Sequence, residues 1–179
     1  MRRLFALCLL FTGCLSSWGG ASHASALEPH LRTKARVIRK LLDWITWPAI
    51  EPGRPLVIAV QDRAFCEGAL RRELGQVKVS GRPLRLFHLQ SLEDSLQIQC
   101  DLLILSPRAE ENLAAVVAHL KRRPMVMIGE GKGLAAQGVT VNLVPESGER
   151  MRLQINATSL KNSGALLSPQ VLRGAELFY

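Results

Sequence analysis

Aromatic residues are scarce in this chain, which also lacks the features that mark several protein classes. They make up 5% of the 179 residues, so no row of rings is evident on which single-stranded nucleic acid could stack. No apolar run reaches the roughly 18–20 residues of a membrane-spanning helix, and no internal repeat is present. Four cysteines are too few for a small scaffold held together by disulfides. These absences exclude a solenoid, a polytopic membrane protein and a disulfide-rich miniprotein.

Motifs that carry common enzymatic chemistry are also missing. The chain has neither a Gly-x-Ser-x-Gly elbow nor a His-Glu-x-x-His pair. The run from Gly129 to Gly133 is similar to a phosphate-binding turn, but Leu134 stands where the dinucleotide fingerprint needs its last glycine. Glu130, within that run, would repel a phosphate. We therefore expect no catalytic residues, no metal and no cofactor.

An excess of basic residues is what the sequence does contain. Lys and Arg number 23 against 15 Asp and Glu, which gives a formal net charge of +8. The basic residues are scattered along the chain, and this pattern favours ordinary surface charge over a nucleic-acid interface. With 47% hydrophobic and 21% charged residues, the composition is typical of a globular domain. We predict one domain and no nucleic-acid partner.

The amino terminus has the three-part pattern of a secretory signal peptide. Basic Met1–Arg3 precedes apolar Leu4–Phe11, and a segment of small residues ends in Ala24-Ser25-Ala26. We predict that residues 1–26 are a cleaved signal peptide and that residues 27–179 form an exported domain. As an alternative, the sequence before Cys14 is similar to a lipobox, in which a lipid on that cysteine would anchor the protein to a membrane.

Cleavage after Ala26 would leave two of the four cysteines, Cys66 and Cys100, and a net charge of +6. In an oxidising compartment such a pair is more often a disulfide than two free thiols. A loop of about 35 residues closed by this bond would stabilise the fold by roughly 3–4 kcal/mol in the chain-entropy model. The alternatives are a metal site and a catalytic thiol. A metal site would need further His or Cys ligands at suitable spacing, and the sequence has none nearby. We predict the disulfide.

Alternating strand and helix patterns predict the fold class. Leu31 to Ile45 has apolar residues at spacings of three and four, which indicates an amphipathic helix. Short continuous apolar runs are typical of strands buried on both faces: Leu56–Val60, Asp101–Leu105 and Pro124–Ile128. Helices are predicted between them, at about 64–74 and 109–122, and Val139–Val144 with Met151–Asn156 predicts a hairpin. We expect an α/β three-layer αβα sandwich with a mostly parallel sheet and an antiparallel C-terminal hairpin.

Two tryptophans near the end of the first helix are candidates for binding a partner. Trp47 falls outside the apolar stripe and precedes Pro48. It could pack under the following loop, or it could be an exposed aromatic anchor, since tryptophan is enriched at interface hot spots. We take Trp44, Trp47, Pro48 and Asn156 as candidate partner-binding residues.

An ordered set of short motifs resembles the YfiR family of small periplasmic proteins, from about Leu31 to Leu177. Each motif is weak by itself, and their order is more specific. They are Trp47-Pro48, Gly81–Leu84, Cys100–Leu105, Pro124–Ile128, Ala136–Leu143, Arg152–Asn156 and Leu167–Leu172. The resemblance implies a regulator without catalysis.

The resemblance also implies partners. The family's namesake is a repressor that binds the periplasmic domain of an inner-membrane diguanylate cyclase, which lowers cyclic di-GMP signalling and biofilm formation. An outer-membrane lipoprotein with a peptidoglycan-binding domain can sequester the namesake, which also forms dimers. A disulfide of the namesake is similar in placement to Cys66 and Cys100, whereas a second pair near its late hairpin has no counterpart here.

Two other functions stay open at this point. The first is a periplasmic sensor of a small ligand, held in the crevice at the carboxyl ends of the parallel strands. The second is an exported enzyme, which would need a pocket with convergent polar groups.

Overall fold

The computed structural model describes residues 21–48, 53–106, 113–148 and 150–179. Most of the predicted signal peptide, with Cys8 and Cys14, lies outside the described residues, and so does the start of the helix predicted at 109–122. Among the described helices, none combines the length and the apolar character that crossing a bilayer requires.

A central sheet of eight strands organises the domain. In spatial order the strands are β10 (Glu176–Phe178), β8 (Met151–Asn156), β7 (Val141–Pro145), β6 (Val126–Glu130), β5 (Leu102–Ile104), β2 (Leu56–Val60), β4 (Arg82–His88) and β3 (Lys78–Val79). Strands β7, β6, β5, β2 and β4 are mutually parallel. Strand β8 is antiparallel to β7, and β3 is antiparallel to β4. The predicted parallel sheet and C-terminal hairpin are confirmed.

Helices cover both faces of this sheet, as predicted. They are α1 (Ala21–Trp44), α2 (Arg63–Phe65), a π-helical turn (Cys66–Leu70), α3 (Arg71–Leu74), a 3₁₀ turn (Glu93–Leu96), α4 (Leu113–Leu120), α5 (Ala157–Ser163) and α6 (Pro169–Gly174). Helix α1 begins before the predicted start at Leu31 and continues through Pro29. The prediction followed the apolar spacing, which begins at Leu31, and therefore placed the start too late; Pro29 is tolerated inside the helix although proline cannot donate a backbone hydrogen bond.

Each central strand contributes to two separate cores because its side chains alternate between the faces of the sheet. In β2, Ile58 packs in the core that contains α1, whereas Ala59 packs in the core that contains α4. The α1 core includes Ala35, Ile38, Leu41, Leu42, Phe65 and Leu70. The α4 core includes Leu113, Val116, Val117, Leu120, Met127 and Val139. Burial on both faces explains why these strands are continuously apolar.

A short antiparallel ribbon follows α1 and connects it to the carboxyl-terminal part of the chain. It pairs β1 (Ile45–Thr46) with β9 (Leu166–Leu167). Beside it, the backbone N–H of Ser168 donates to the carbonyl of Trp44 at 2.9 Å. The end of α1 is therefore held against the start of α6, and this contact positions both candidate tryptophans.

The buried carboxylate of Asp101 joins the amino ends of three strands. Its Oδ2 accepts from the backbone N–H of Val57 at 2.8 Å, which ties β5 to β2. Arg54 donates to both carboxylate oxygens, at 3.1 and 3.2 Å, and Arg82 at the start of β4 lies 3.4 Å from Oδ2. Because a buried charge is stable only when it is paired and hydrogen-bonded, this amino edge of the sheet depends on the whole set.

We predict that Asp101→Ala lowers the free energy of unfolding by about 3 kcal/mol, because Arg82, whose side chain is 13% exposed, would then lack its carboxylate. Urea denaturation measures the effect. Asp43→Ala is the matched control, since Asp43 is 51% exposed and its pair with Arg39 should contribute less than about 1 kcal/mol. Equal losses in the two variants would contradict the structural role of Asp101.

Candidate functional site

A cleft of about 470 Å³ lies at the amino ends of β2, β5 and β6. Residues just before these strands form one side of it: Arg54, Cys100, Asp101, Pro124 and Met125. The other side consists of Trp47 and Pro48, which follow β1, of Ser163 at the end of α5 and of Ala165 before β9. We call this site the amino-edge cleft.

The wall formed by Ser163 and Ala165 depends on the glycine between them. Gly164 ends α5 with a φ of +70°, in the left-handed region that favours glycine. A Cβ at this position would lie 3.3 Å from Pro48, so the close approach of the two segments also favours glycine. The chain can therefore turn from α5 into β9 while it remains packed against Pro48.

Trp47, one of the residues that line this cleft, has an unusual buried polar atom. Its ring packs against the α1 core, and the buried Nε1 has no hydrogen-bond partner among the described residues. An indole N–H can only donate, and buried tryptophan N–H groups usually find an acceptor. Leaving such a donor unsatisfied costs about 1–3 kcal/mol. Trp47 is therefore packed against the core, with a buried indole N–H for which the described residues provide no acceptor.

The charged groups of the cleft are held in place by hydrogen bonds. Arg54 is paired with Asp101. Arg123 donates from Nη1 to the carbonyls of Ser95 and Leu96, at 2.9 and 3.1 Å, and from Nη2 to the carbonyl of Ile98 at 3.0 Å. Among the described lining residues, two are basic, Arg54 and Arg123, and one is acidic, Asp101.

Cys66 and Cys100 are not brought together, and the predicted disulfide is absent from this structure. Both are free and buried. Cys66 packs in the α1 core and Cys100 in the α4 core, so the sheet separates them. The sequence shows only that two cysteines are present. The face of the sheet on which each one lies depends on the pairing of strands that are far apart in the chain.

The chemistry of the two thiols is set by their burial. Desolvation raises the pKa of Cys100 to about 11, and it also raises the pKa of Cys66, while Arg123 and Arg71 respectively oppose the shift. A nucleophilic or metal-binding cysteine acts as the thiolate, and a raised pKa disfavours that form near neutral pH. Among the described residues no group of three or more His, Cys, Asp or Glu could hold a metal ion.

Trp44 lies on a different surface from Trp47. Its side chain is 41% exposed at the end of α1. It borders a groove of about 370 Å³ between α6 and the start of β8, together with Met151, Leu153 and Val171. We call this the Trp44 groove. An exposed indole beside apolar side chains is the composition expected at the centre of a protein interface.

Asn156 is buried and bonded within the chain, so it is not available for the predicted contact with a partner. It is 6% exposed. Its Oδ1 accepts from the N–H of Ser159 at 2.7 Å, which caps α5, and its Nδ2 donates to the carbonyl of Ala135 at 2.9 Å. An asparagine directly before a helical segment is a common N-cap, and this signal was available in the sequence.

Sequence reasoning missed a buried ionic cluster at the carboxyl end of β6. Lys34 Nζ lies 3.0 Å from Glu130 Oε2 in an ion pair that is not a hydrogen bond, and it also lies 4.9 Å from the centre of the Phe65 ring. His30 Nε2 lies 2.6 Å from Glu130 Oε1. Lys34 is four residues before Ile38 on the apolar face of α1, and this spacing was a usable signal. Residues of α1 thus cover the end of β6, where a ligand crevice was expected.

The comparisons with known proteins give a family and a fold. A family model described as YfiR/HmsC-like matches residues 32–176. No match was found among the curated proteins. Among solved structures, the chain is similar to the ABC domain in complex with L-Trp from Streptococcus pneumonia, with 10% identity and a TM-score of 0.51. The match covers 83% of this chain and 60% of that one, and at this identity it shows the fold alone.

We predict that protein denatured in urea without reductant reacts with maleimide at both Cys66 and Cys100, as peptide mass spectrometry would show. In the folded protein, Cys100 should react slowly near pH 8 and faster as the pH approaches its pKa of about 11, because the fraction of thiolate rises with pH. The denatured protein at the same pH is the control for intrinsic reactivity. A peptide pair linked through these two cysteines would contradict the structure.

Proposed function

We propose a regulatory function on the premise that the chain belongs to the YfiR/HmsC-like family, whose model matches residues 32–176. Membership of this family indicates a periplasmic regulator of diguanylate cyclase signalling. Our more specific proposal is that the protein represses an inner-membrane diguanylate cyclase by binding its periplasmic sensor domain. Repression would lower cyclic di-GMP and biofilm formation. The observation that carries the proposal is the family match over nearly all of the described domain.

The Trp44 groove is the surface that we assign to the cyclase. Trp44 is exposed although it is large and apolar, and its neighbours Met151 and Leu153 are apolar. Arg152, between those two residues, is half exposed and lies near Glu146 and Glu176, so charged groups border the apolar centre. An aromatic side chain within a polar rim is the usual arrangement of an interface hot spot.

Other partners and the route of export belong to the same proposal. Residues 1–26 would direct the chain to the periplasm and be removed, with a lipid at Cys14 as the alternative. An outer-membrane lipoprotein that binds peptidoglycan would release the cyclase by taking the regulator away from it. A homodimer is compatible with this scheme. In each step the protein acts by binding, without a catalytic residue or a cofactor.

We predict that deletion of the gene raises intracellular cyclic di-GMP and biofilm mass, and that the wild-type gene restores both. Affinity purification of the tagged protein from the membrane fraction should recover a diguanylate cyclase, identified by mass spectrometry. An unchanged cyclic di-GMP level together with no co-purified cyclase would contradict the proposal.

We further predict that Trp44→Ala fails to complement the deletion and weakens binding to the cyclase domain by tenfold or more, because truncation of a hot-spot residue typically costs at least 2 kcal/mol. Tyr179→Ala is the matched control, since it removes an aromatic side chain that is 90% exposed and lies outside the Trp44 groove. Both variants should retain the wild-type urea midpoint. Full repression by folded Trp44→Ala would place the cyclase on another surface.

A further inference from the structure

Exposed basic side chains gather on one face of the domain, although they are scattered along the sequence. Arg32, Arg36 and Lys40 follow one another at intervals of four on α1, so they form a stripe along about 12 Å of the helix. Arg71 and Arg72 are exposed on α3, which packs beside α1. We call these five residues the α1–α3 basic face. No part of the proposed regulatory function uses it.

The two helices border a small basic pocket on this face. Its volume is about 250 Å³. Three arginines, two alanines and one glutamate line it: Arg32, Arg36, Arg72, Ala35, Ala69 and Glu73. Guanidinium groups recognise phosphate and carboxylate groups through paired hydrogen bonds. Because the arginines outnumber the single carboxylate and the alanines are small, the lining favours an anionic group.

The basic stripe is unfavourable for the helix that carries it. Like charges four residues apart destabilise a helix, and Arg36 has a basic residue at that spacing on both sides, Arg32 and Lys40. Elsewhere on α1 the same spacing is used differently, because Arg39 is paired with Asp43. Repulsion among exposed cations is relieved when an anionic surface binds them. The stripe therefore indicates a binding role.

The composition of the face favours a membrane over other partners. Among the described residues the large apolar side chains that are exposed are Trp44, Leu166, Leu177 and Tyr179, and none of them belongs to the basic face. A protein interface usually has an aromatic or apolar centre, and single-stranded nucleic acid stacks on aromatic side chains. An anionic bilayer requires only that basic side chains share one surface.

We propose that the α1–α3 basic face docks on an anionic phospholipid membrane, where Arg32, Arg36 and Arg72 bind headgroup phosphates. The attraction is electrostatic, so it is reversible and weakens as the salt concentration rises. This inference goes beyond the proposed regulation and does not rest on it. Docking would raise the concentration of the protein beside a membrane-bound target, and only that consequence depends on the proposed function.

The test measures how much of the protein, purified from its native cells, sediments with phospholipid vesicles. Vesicles of equal parts phosphatidylglycerol and phosphatidylcholine carry the negative charge, and vesicles of phosphatidylcholine alone are the neutral match. We expect binding to the anionic vesicles to be tighter by about tenfold or more. Raising the salt from about 0.05 to about 0.5 M should remove most of this difference, because the Debye length falls about threefold.

Two triple variants with the same net charge separate the position of the basic residues from their number. The first combines Arg32→Gln, Arg36→Gln and Arg72→Gln. The second is the matched control and changes three exposed arginines on other parts of the fold, β4, the end of α4 and α6: Arg85→Gln, Arg122→Gln and Arg173→Gln.

We expect the first variant to lose about a hundredfold in affinity for the anionic vesicles and the control to lose less than about tenfold. The reason is that each basic residue close to an anionic membrane contributes roughly a fivefold factor. Urea midpoints establish that both variants are folded. If the first does not fold, Arg36→Gln is compared with Arg122→Gln instead.

Three results would overturn the proposal. The first is equal binding to anionic and neutral vesicles. The second is an equal loss in the two folded triple variants, which would assign the binding to net charge alone. The third is polyglutamate bound as tightly as the vesicles through the same arginines, which would assign the face to an acidic protein. None of these results bears on whether deletion of the gene changes cyclic di-GMP, so the two proposals fail independently.

Discussion

The pairing of one buried carboxylate with its donors holds the amino ends of the central strands in place. Asp101 accepts from the backbone of Val57 and from two arginines, and so it connects β5, β2 and β4 at their amino ends. A carboxylate at this position would be unstable without those partners, because burying an unpaired charge costs several kcal/mol. The amino-edge cleft exists because this set fixes where the chain enters each strand.

A second consequence follows from the short ribbon after α1. Trp44 and Trp47 are three residues apart, yet the change from helix to strand between them directs one ring to the surface and the other to the core. One segment therefore supplies a residue to the Trp44 groove and another to the amino-edge cleft. The hydrogen bond from the Ser168 N–H to the Trp44 carbonyl fixes this segment against the start of α6.

The fold was more predictable than the sites. Continuous apolar runs such as Leu102–Ile104 indicated strands buried on both faces. The alternation of apolar and polar residues in Met151–Asn156 indicated the antiparallel hairpin. The start of α1 was placed too late because the apolar spacing begins only at Leu31, whereas the helix extends back through Pro29. Asn156 was taken for a partner contact although its place before α5 indicated an N-cap. Cys66 and Cys100 were paired by their number and compartment, and the sheet separates them.

The sequence by itself determined the fold class, the family resemblance and the absence of the common catalytic motifs, because these depend on patterns within short stretches of chain. Only the tertiary structure decided that Lys34 and Glu130 meet, that the cysteines lie on opposite faces of the sheet and that the Trp47 indole N–H is buried without an acceptor among the described residues. The physical reason is that strand order brings together residues far apart in the chain. Burial then sets the free-energy cost of leaving a polar group without a partner. Neither strand order nor burial is a property of a short stretch of sequence.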